Sequence, residues 1–242
     1  MILSQDNRQG CGNKYMTDLR SIENWVFDLD NTLYRADAGF FSQIDIKITE
    51  FVSHYLELEP LRARALQKEY LAEYGTTLSG LMAVHGLEPA EFLDYVHDVD
   101  LSSLAPNPML KQALVDLPGR KFIFTNGSRG HAKNVATHLG IWDLFEGGFG
   151  VDDVDYIPKP LKSSYVKFCD NFDIDPTRAI MFEDSLRNLE APKSMGMQTV
   201  LIVPDATSSH DMEVVALDGT KKAADWVDYI TADLPSWLQG CL

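Results

Sequence analysis

The chain has 242 residues and a formal net charge of −15, long enough for one large α/β domain or a core with a smaller insert. So acidic a surface repels phosphate backbones, which excludes nucleic-acid polymers as partners. It also requires that an anionic small substrate meet a local lysine or a metal.

Three cysteines, Cys11, Cys169 and Cys241, stand far apart with no CxxC pair. That argues against a disulfide framework and a zinc site, and it suits a reducing cytoplasm. No apolar run approaches the roughly 20 residues of a membrane span, so no membrane association is expected. The opening MILSQDNRQGCGNKYMTDLR lacks the apolar stretch of a signal peptide and reads as a flexible polar extension over 1–20, with Met16 as an alternative start.

The elements follow in chain order. WVFDL (25–29) is a first, buried strand running into a polar loop. From about 38 to 104 the pattern is helical and contains no strand. Phe41, Ile44, Ile48, Phe51, Val52, Tyr55 and Leu56 recur at spacings of three and four. PLRARALQKEYLAEY opens with a proline at a helix start, and shorter helices are predicted over 76–85 and 89–97.

From residue 108 strands and helices alternate. KFIFT (121–125) is a strand, and GHAKNVATHLG is a helix closed by Gly140. A short strand is predicted near 148–151, a helix over 162–172, and a strand over AIMF (179–182). A helix over about 188–195 precedes the strand TVLIV (199–203), and WVDYI (226–230) is a last edge strand. The predicted class is α/β: a Rossmann-like parallel sheet with helices on both faces, plus a small all-helical domain inserted after the first strand. The boundaries are 21–36 and 105–242 for the core and 37–104 for the insert.

In such sheets the ligand site lies beyond the carboxyl ends of the strands. Asp28 and Asp30 follow the first strand, and Thr125 and Asn126 follow KFIF. Lys159 precedes the 162–172 helix, and Glu183 and Asp184 follow AIMF, with Asn188 four residues on. Each feature alone is ordinary, a turn, a solvated lysine or an acidic helix start. Together they bring two acidic pairs, a lysine and a hydroxyl to one edge, and converging carboxylates call for a cation.

The chemistry that fits is phosphoryl transfer through an aspartyl-phosphate. Asp28 attacks phosphorus, and Asp30 protonates the leaving oxygen and then activates water. Mg²⁺, which prefers oxygen ligands, is held by Asp28, the backbone carbonyl of Asp30, and Asp184. The Thr125 hydroxyl, the Asn126 backbone N–H and Lys159 clamp phosphate oxygens.

At these residues the sequence resembles the haloacid dehalogenase superfamily. FDLDNTLY is similar to its first motif, with Asp28 as nucleophile, Asp30 as acid/base and Thr32 supporting the loop. FTNG matches the second motif through Thr125, PKP the third through Lys159, and FEDSLRN the fourth. The fourth motif implies Asp184 as the metal ligand, Glu183 close by, and Asn188 in support. The helical insert resembles a small cap.

Within the superfamily, FSQID, QKEYLAEYGTTLSGLM, VHDVD and LPGRKFIFTNGSRGHA resemble pyrimidine 5′-nucleotidases. That resemblance implies hydrolysis of UMP- or CMP-like monophosphates by a cytoplasmic monomer or homodimer. A cap closing over the site offers Tyr34, Phe40, Gln43, Tyr74, Thr77, His97 and Asp98 as contacts to base or ribose, with Phe40 and Tyr74 alternatively in the cap core and Gln43 on an exposed face.

Other readings stay open. His97–Asp98 suggests an HD-type metal phosphohydrolase, which needs further histidines; His54 and His85 have no telling spacing, and His131 and His138 read as surface residues. A dehalogenase leaves Asp30 and the Glu183–Asp184 pair unexplained. A phosphomutase uses the same core but releases no free phosphate, and a phosphate-binding module turns nothing over.

Overall fold

The computed structural model describes residues 19–35, 39–204 and 224–241. The polar extension of 1–20 and Met16 therefore lie almost wholly outside the described residues. Strands β1 (Asn24–Phe27), β2 (Arg120–Phe124), β3 (Gly147–Phe149), β4 (Ala179–Glu183), β5 (Gln198–Ile202) and β6 (Tyr229–Thr231) form one sheet in the order β3-β2-β1-β4-β5-β6. Every pairing is parallel. This is the Rossmann-like α/β sheet expected, with β1 in the middle.

The strands read as nearly continuous apolar runs because both faces are covered. Alternate residues face opposite sides. Val26, Phe122, Phe124, Met181 and Leu201 share one core with Tyr165 and Phe168 of α7 (Lys162–Phe172). Trp25, Phe27, Ile123, Ile180, Phe182 and Val200 share the other. That second core is closed by α5 (Pro108–Asp116), α6 (Arg129–His138) and α9 (Leu234–Gln239). Phe27 stacks on Phe182 at 4.6 Å, which locks β1 to β4 where the chain leaves the sheet.

Between β1 and α5 the described residues form four α-helices: α1 (Phe40–Tyr55), α2 (Pro60–Tyr74), α3 (Thr77–His85) and α4 (Pro89–Val96). Their bounds follow the sequence signals closely. Pro60 and Pro89 sit in first turns, the Thr76 side chain caps α3, and Gly75 and Gly86 end α2 and α3 with positive φ. α2 and α3 pack without a gap: a Cβ on Gly80 would lie 2.4 Å from the Tyr70 ring. Phe51 stands edge-on to Phe92 at 5.1 Å and joins α1 to α4.

Some expected boundaries shift. β1 ends at Phe27, not Leu29, because the Leu29 carbonyl already accepts turn bonds from the N–H groups of Thr32 and Leu33. Glu183 is the last residue of β4 rather than past it. The predicted helix over 188–195 starts as a 3₁₀ turn, Leu186–Leu189, before α8 (Glu190–Ser194). The edge strand is Tyr229–Thr231, because Asp228 turns back to accept from the Thr199 N–H at 3.0 Å. α5 was not among the expected elements; it starts at Pro108 behind Asn107, whose side chain accepts from the N–H groups of Met109 and Leu110. No helix among the described residues is long and apolar enough to cross a membrane.

Candidate active site

Past Phe27 the Asp28 N–H still bonds the Phe182 carbonyl at 2.9 Å, so β4 holds the start of the loop. Asp28 is buried, and so are Thr125, Lys159, Glu183 and Asn188. Lys159 lies at the centre. Its Nζ donates to Asp28 Oδ1 at 2.7 Å, to Glu183 Oε2 at 2.7 Å and to the Phe124 carbonyl at 2.8 Å. All three ammonium protons are engaged. Asn126 fixes the lysine backbone: the Lys159 N–H donates to Asn126 Oδ1 at 2.8 Å, and Asn126 Nδ2 donates to the Lys159 carbonyl at 3.1 Å. Thr125 Oγ1 accepts from the Gly127 N–H at 3.0 Å, which leaves its own proton to donate.

Oxygens of Asp28, Glu183 and Asp184 come within 4.8 Å of one another. Asn31, at positive φ, donates Nδ2 to Asp184 Oδ2 at 3.3 Å. Glu183 is occupied on both oxygens, by Lys159 and by the Ser185 N–H. The donor set suits a hard divalent cation. Lys159 pairs with only Asp28 and Glu183 of these three carboxylates, and the buried Asn188 Oδ1 has no hydrogen-bond partner, Asn188 lining the same cavity. Thr32 is buried behind the loop.

The electrostatics separate the two aspartates. Burial, then the charge of Glu183, push the Asp28 carboxyl up to about 8 against the pull of Lys159. Burial and the charges of Glu183 and Asp28 likewise raise Asp184 well above the carboxylate range. For Lys159 burial works downward, but Asp28 and Glu183 outweigh it and raise it. Burial also opposes ionisation of Asp30, yet His131 and the Tyr34 hydroxyl outweigh it and hold Asp30 low. Tyr34 keeps its proton, since burial and the Asp30 charge push its phenol far up.

These groups line a cavity of about 290 Å³. Its other wall comes from the helices and is mostly apolar, with Phe41, Ile44, Ile48, Leu71, Phe92 and Val96. Arg187 ties the two walls, donating to the carbonyls of Gly75 at 3.0 Å and Leu71 at 3.4 Å at the end of α2. A second cavity, about 550 Å³, is larger but contains none of the converging carboxylates.

Of the expected base or ribose contacts, Thr77 and His97 line the 290 Å³ cavity and the other five do not. Gln43 is turned to the Asp100 backbone, with bonds of 3.2 and 3.3 Å. Tyr74 packs edge-on against Tyr70 at 5.6 Å, within the helical unit. Tyr34 bonds Asp30 instead, at 2.6 Å. Phe40 is buried with the sheet core, against Tyr34, rather than among the helices. Asp98 is exposed and pairs with Lys47 at 3.3 Å, so His97–Asp98 forms no paired metal motif.

His131 is not on the surface. It is 3% exposed and lies 3.4 Å from Asp30 Oδ1. Its ring stacks on His97 at 4.2 Å, and Ser128 Oγ meets His97 Nδ1 at 3.1 Å. Loss of water, then His131, lowers His97 to about 3, so it is neutral. The junction is close: a Cβ on Gly127 would come within 3.4 Å of His97 Nε2 and Thr125 Oγ1. No local sequence signal marks His131, since its partner lies 101 positions away. His138 is exposed but bonds the Leu104 carbonyl at 2.9 Å.

The family model described as haloacid dehalogenase-like hydrolase matches residues 22–196. The chain is 32% identical to the validoxylamine A 7′-phosphate phosphatase of Streptomyces hygroscopicus subsp. limoneus, over 79% of this chain and 88% of that one. It is 25% identical to phosphate metabolism protein 8 of Saccharomyces cerevisiae, over 82% of this chain and 67% of that one. Its fold is similar to that of YfnB from Bacillus subtilis, in a form bound to magnesium, with a TM-score of 0.57 at 14% identity, over 91% and 98% of the two chains.

Proposed function

The chain belongs to the haloacid dehalogenase-like hydrolases, and from that premise we propose that it is a Mg²⁺-dependent phosphomonoesterase of the pyrimidine 5′-nucleotidase type, acting on UMP- and CMP-like monophosphates. The observation that carries the phosphatase reading is the convergence of Asp28, Asp30, Thr125, Lys159 and Asp184 on one cavity. A phosphatase relative at 32% identity supports it. The nucleotide part rests on the wording of the sequence around the motifs.

Asp28 is the nucleophile. Lys159 holds its Oδ1 and balances its charge, while the opposite oxygen forms the bond to phosphorus. Asp30 gives a proton to the leaving oxygen and later takes one from water. The Thr125 hydroxyl and the Asn126 N–H hold phosphate oxygens. Lys159 has its three donors engaged, so its contact with phosphate comes only by sharing one of them. Asp28, the Asp30 carbonyl and Asp184 would hold Mg²⁺, with Asn188 and Glu183 in support. When bound, the metal neutralises phosphate and nucleophile and favours ionised Asp28.

Helices α1–α4 act as a cap over residues 37–104, supported by their apolar side chains on the same cavity as Asp28. There they exclude water and select the leaving group. The reading includes a cytoplasmic enzyme, monomeric or homodimeric. The relative named for validoxylamine A 7′-phosphate favours a second reading, a non-nucleotide leaving group on the same core. The test is a phosphate-release screen over nucleotide, sugar and amino-acid monophosphates in Mg²⁺. Release confined to sugar phosphates removes the nucleotidase assignment and keeps the core chemistry. Transfer to a second sugar hydroxyl without free phosphate identifies a mutase, and binding without turnover a silent module.

A further inference from the structure

Asp30 is gripped on one oxygen only. The Tyr34 hydroxyl donates to Oδ1 at 2.6 Å, and His131 Nε2 lies 3.4 Å from the same atom. One donor sits four residues on in the same loop, and the other is on α6 across the site. Neither is free to turn. The Tyr34 ring stands edge-on to Phe40 at 5.4 Å and is buried. The His131 ring has Phe40 at 6.1 Å and His97 at 4.2 Å, both nearly parallel to it. Among the described residues Asp30 Oδ2 has no hydrogen-bond partner, and Asp30 lines the cavity.

Two fixed donors on one oxygen set the rotation of a carboxylate and distinguish its two oxygens. We propose that Tyr34 and His131 are positioning residues that hold Asp30 so that Oδ2 is the atom exchanging a proton with the reacting oxygen. The proposal rests on the phosphomonoesterase reading and adds to it the orienting side chains and the reacting atom. Asp30 starts ionised, and the phosphate ester enters as its monoanion and passes its proton to Oδ2. In the first step the Asp28–phosphorus bond forms, the ester oxygen–phosphorus bond breaks, and the Oδ2 proton passes to the leaving oxygen. In the second, water oxygen bonds phosphorus, the Asp28–phosphorus bond breaks, and a water proton passes to Oδ2. That proton leaves with the phosphate as its monoanion, so Asp30 ends ionised as it began and no further reactant enters.

A leaving group that needs no proton is the diagnostic probe. Wild type and Tyr34→Phe are compared by kcat/KM on p-nitrophenyl phosphate and on the alkyl monophosphate that wild type hydrolyses fastest. The expected loss on the alkyl ester is about 10- to 100-fold, because a misplaced acid no longer meets the leaving oxygen. On the aryl ester the loss is at least about tenfold smaller, since a stable phenolate leaves without that proton. Equal losses on the two esters overturn the proposal. Should Tyr34→Phe not fold, His131→Leu takes its place under the same ratio. His131→Gln, which restores an N–H donor, is expected to recover part of the alkyl-ester loss; no recovery relative to His131→Leu counts against the role of His131. If wild type releases phosphate from neither ester, the phosphomonoesterase reading fails first, and the positioning role fails with it.

Discussion

The two walls of the cavity are built differently. On the sheet edge the polar groups are buried and held by several partners each, as Lys159 shows with three bonds between 2.7 and 2.8 Å. On the helical wall the lining is mostly apolar and in part exposed, as with Phe41 at 38% and Leu71 at 38%, and among its polar members Asp45 and Thr77 both bond Gln67. The edge requires particular chemical groups at fixed distances. The helical wall requires a shape, which many apolar sequences satisfy. Under the proposed function, catalysis belongs to the first wall and selection to the second.

That division is broken most directly at Asp28. Asp28→Asn is expected to abolish phosphate release while the protein unfolds at the same temperature or higher, because a desolvated carboxyl is replaced by a neutral amide. Excess chelator is expected to stop release in the wild type, and added Mg²⁺ to restore it. Asp30→Asn is expected to lower the rate by about 10²- to 10⁴-fold, measured by steady-state phosphate release.

Lys159→Met tests whether the edge is also structural. Removing the lysine leaves Asp28 and Glu183 buried without their cation, which is expected to cost about 3–5 kcal/mol in denaturant unfolding. A smaller pH effect follows from Asp28. Its folded-state pKa is raised, so the folded form binds more protons than the unfolded chain between the ordinary carboxylate range and about 8. The Asp28 contribution to stability is full at low pH and is lost as pH rises through that window. In metal-free protein, the fall in melting temperature with rising pH should therefore be shallower in Asp28→Asn than in wild type.

The smallest expected effect is on the other wall. Phe41→Ala is expected to change kcat/KM by up to about tenfold, unequally among leaving groups, through lost apolar contact. A uniform loss across all esters would place Phe41 with the catalytic edge and blur the contrast between the walls.

Much of the sheet edge was legible in the sequence. Strand period, turn residues and parallel topology placed Asp28, Thr125, Lys159 and Asp184 together although Asp28 and Lys159 are 131 positions apart. The helices of the insert were legible from their period and from the prolines, Pro60 and Pro89, that open two of them, while the Thr76 cap of α3 came only with the structure. The neighbours of Asp30 were not. Tyr34 and His131 carry no spacing signal, and their roles depend on ring orientation, which only packing against Phe40 and His97 decides. The turn of Gln43 to Asp100 and of Tyr74 to Tyr70 was hidden for the same reason, because a helical period gives a face but not a partner.

The nucleophile is tested most directly by rapid quench of a single turnover followed by peptide mass analysis. The expected result is a phosphoryl adduct on the peptide carrying Asp28 that forms and decays at the rate of phosphate release, and that is absent from Asp28→Asn. Phosphate release at full rate by Asp28→Asn would contradict the assignment outright.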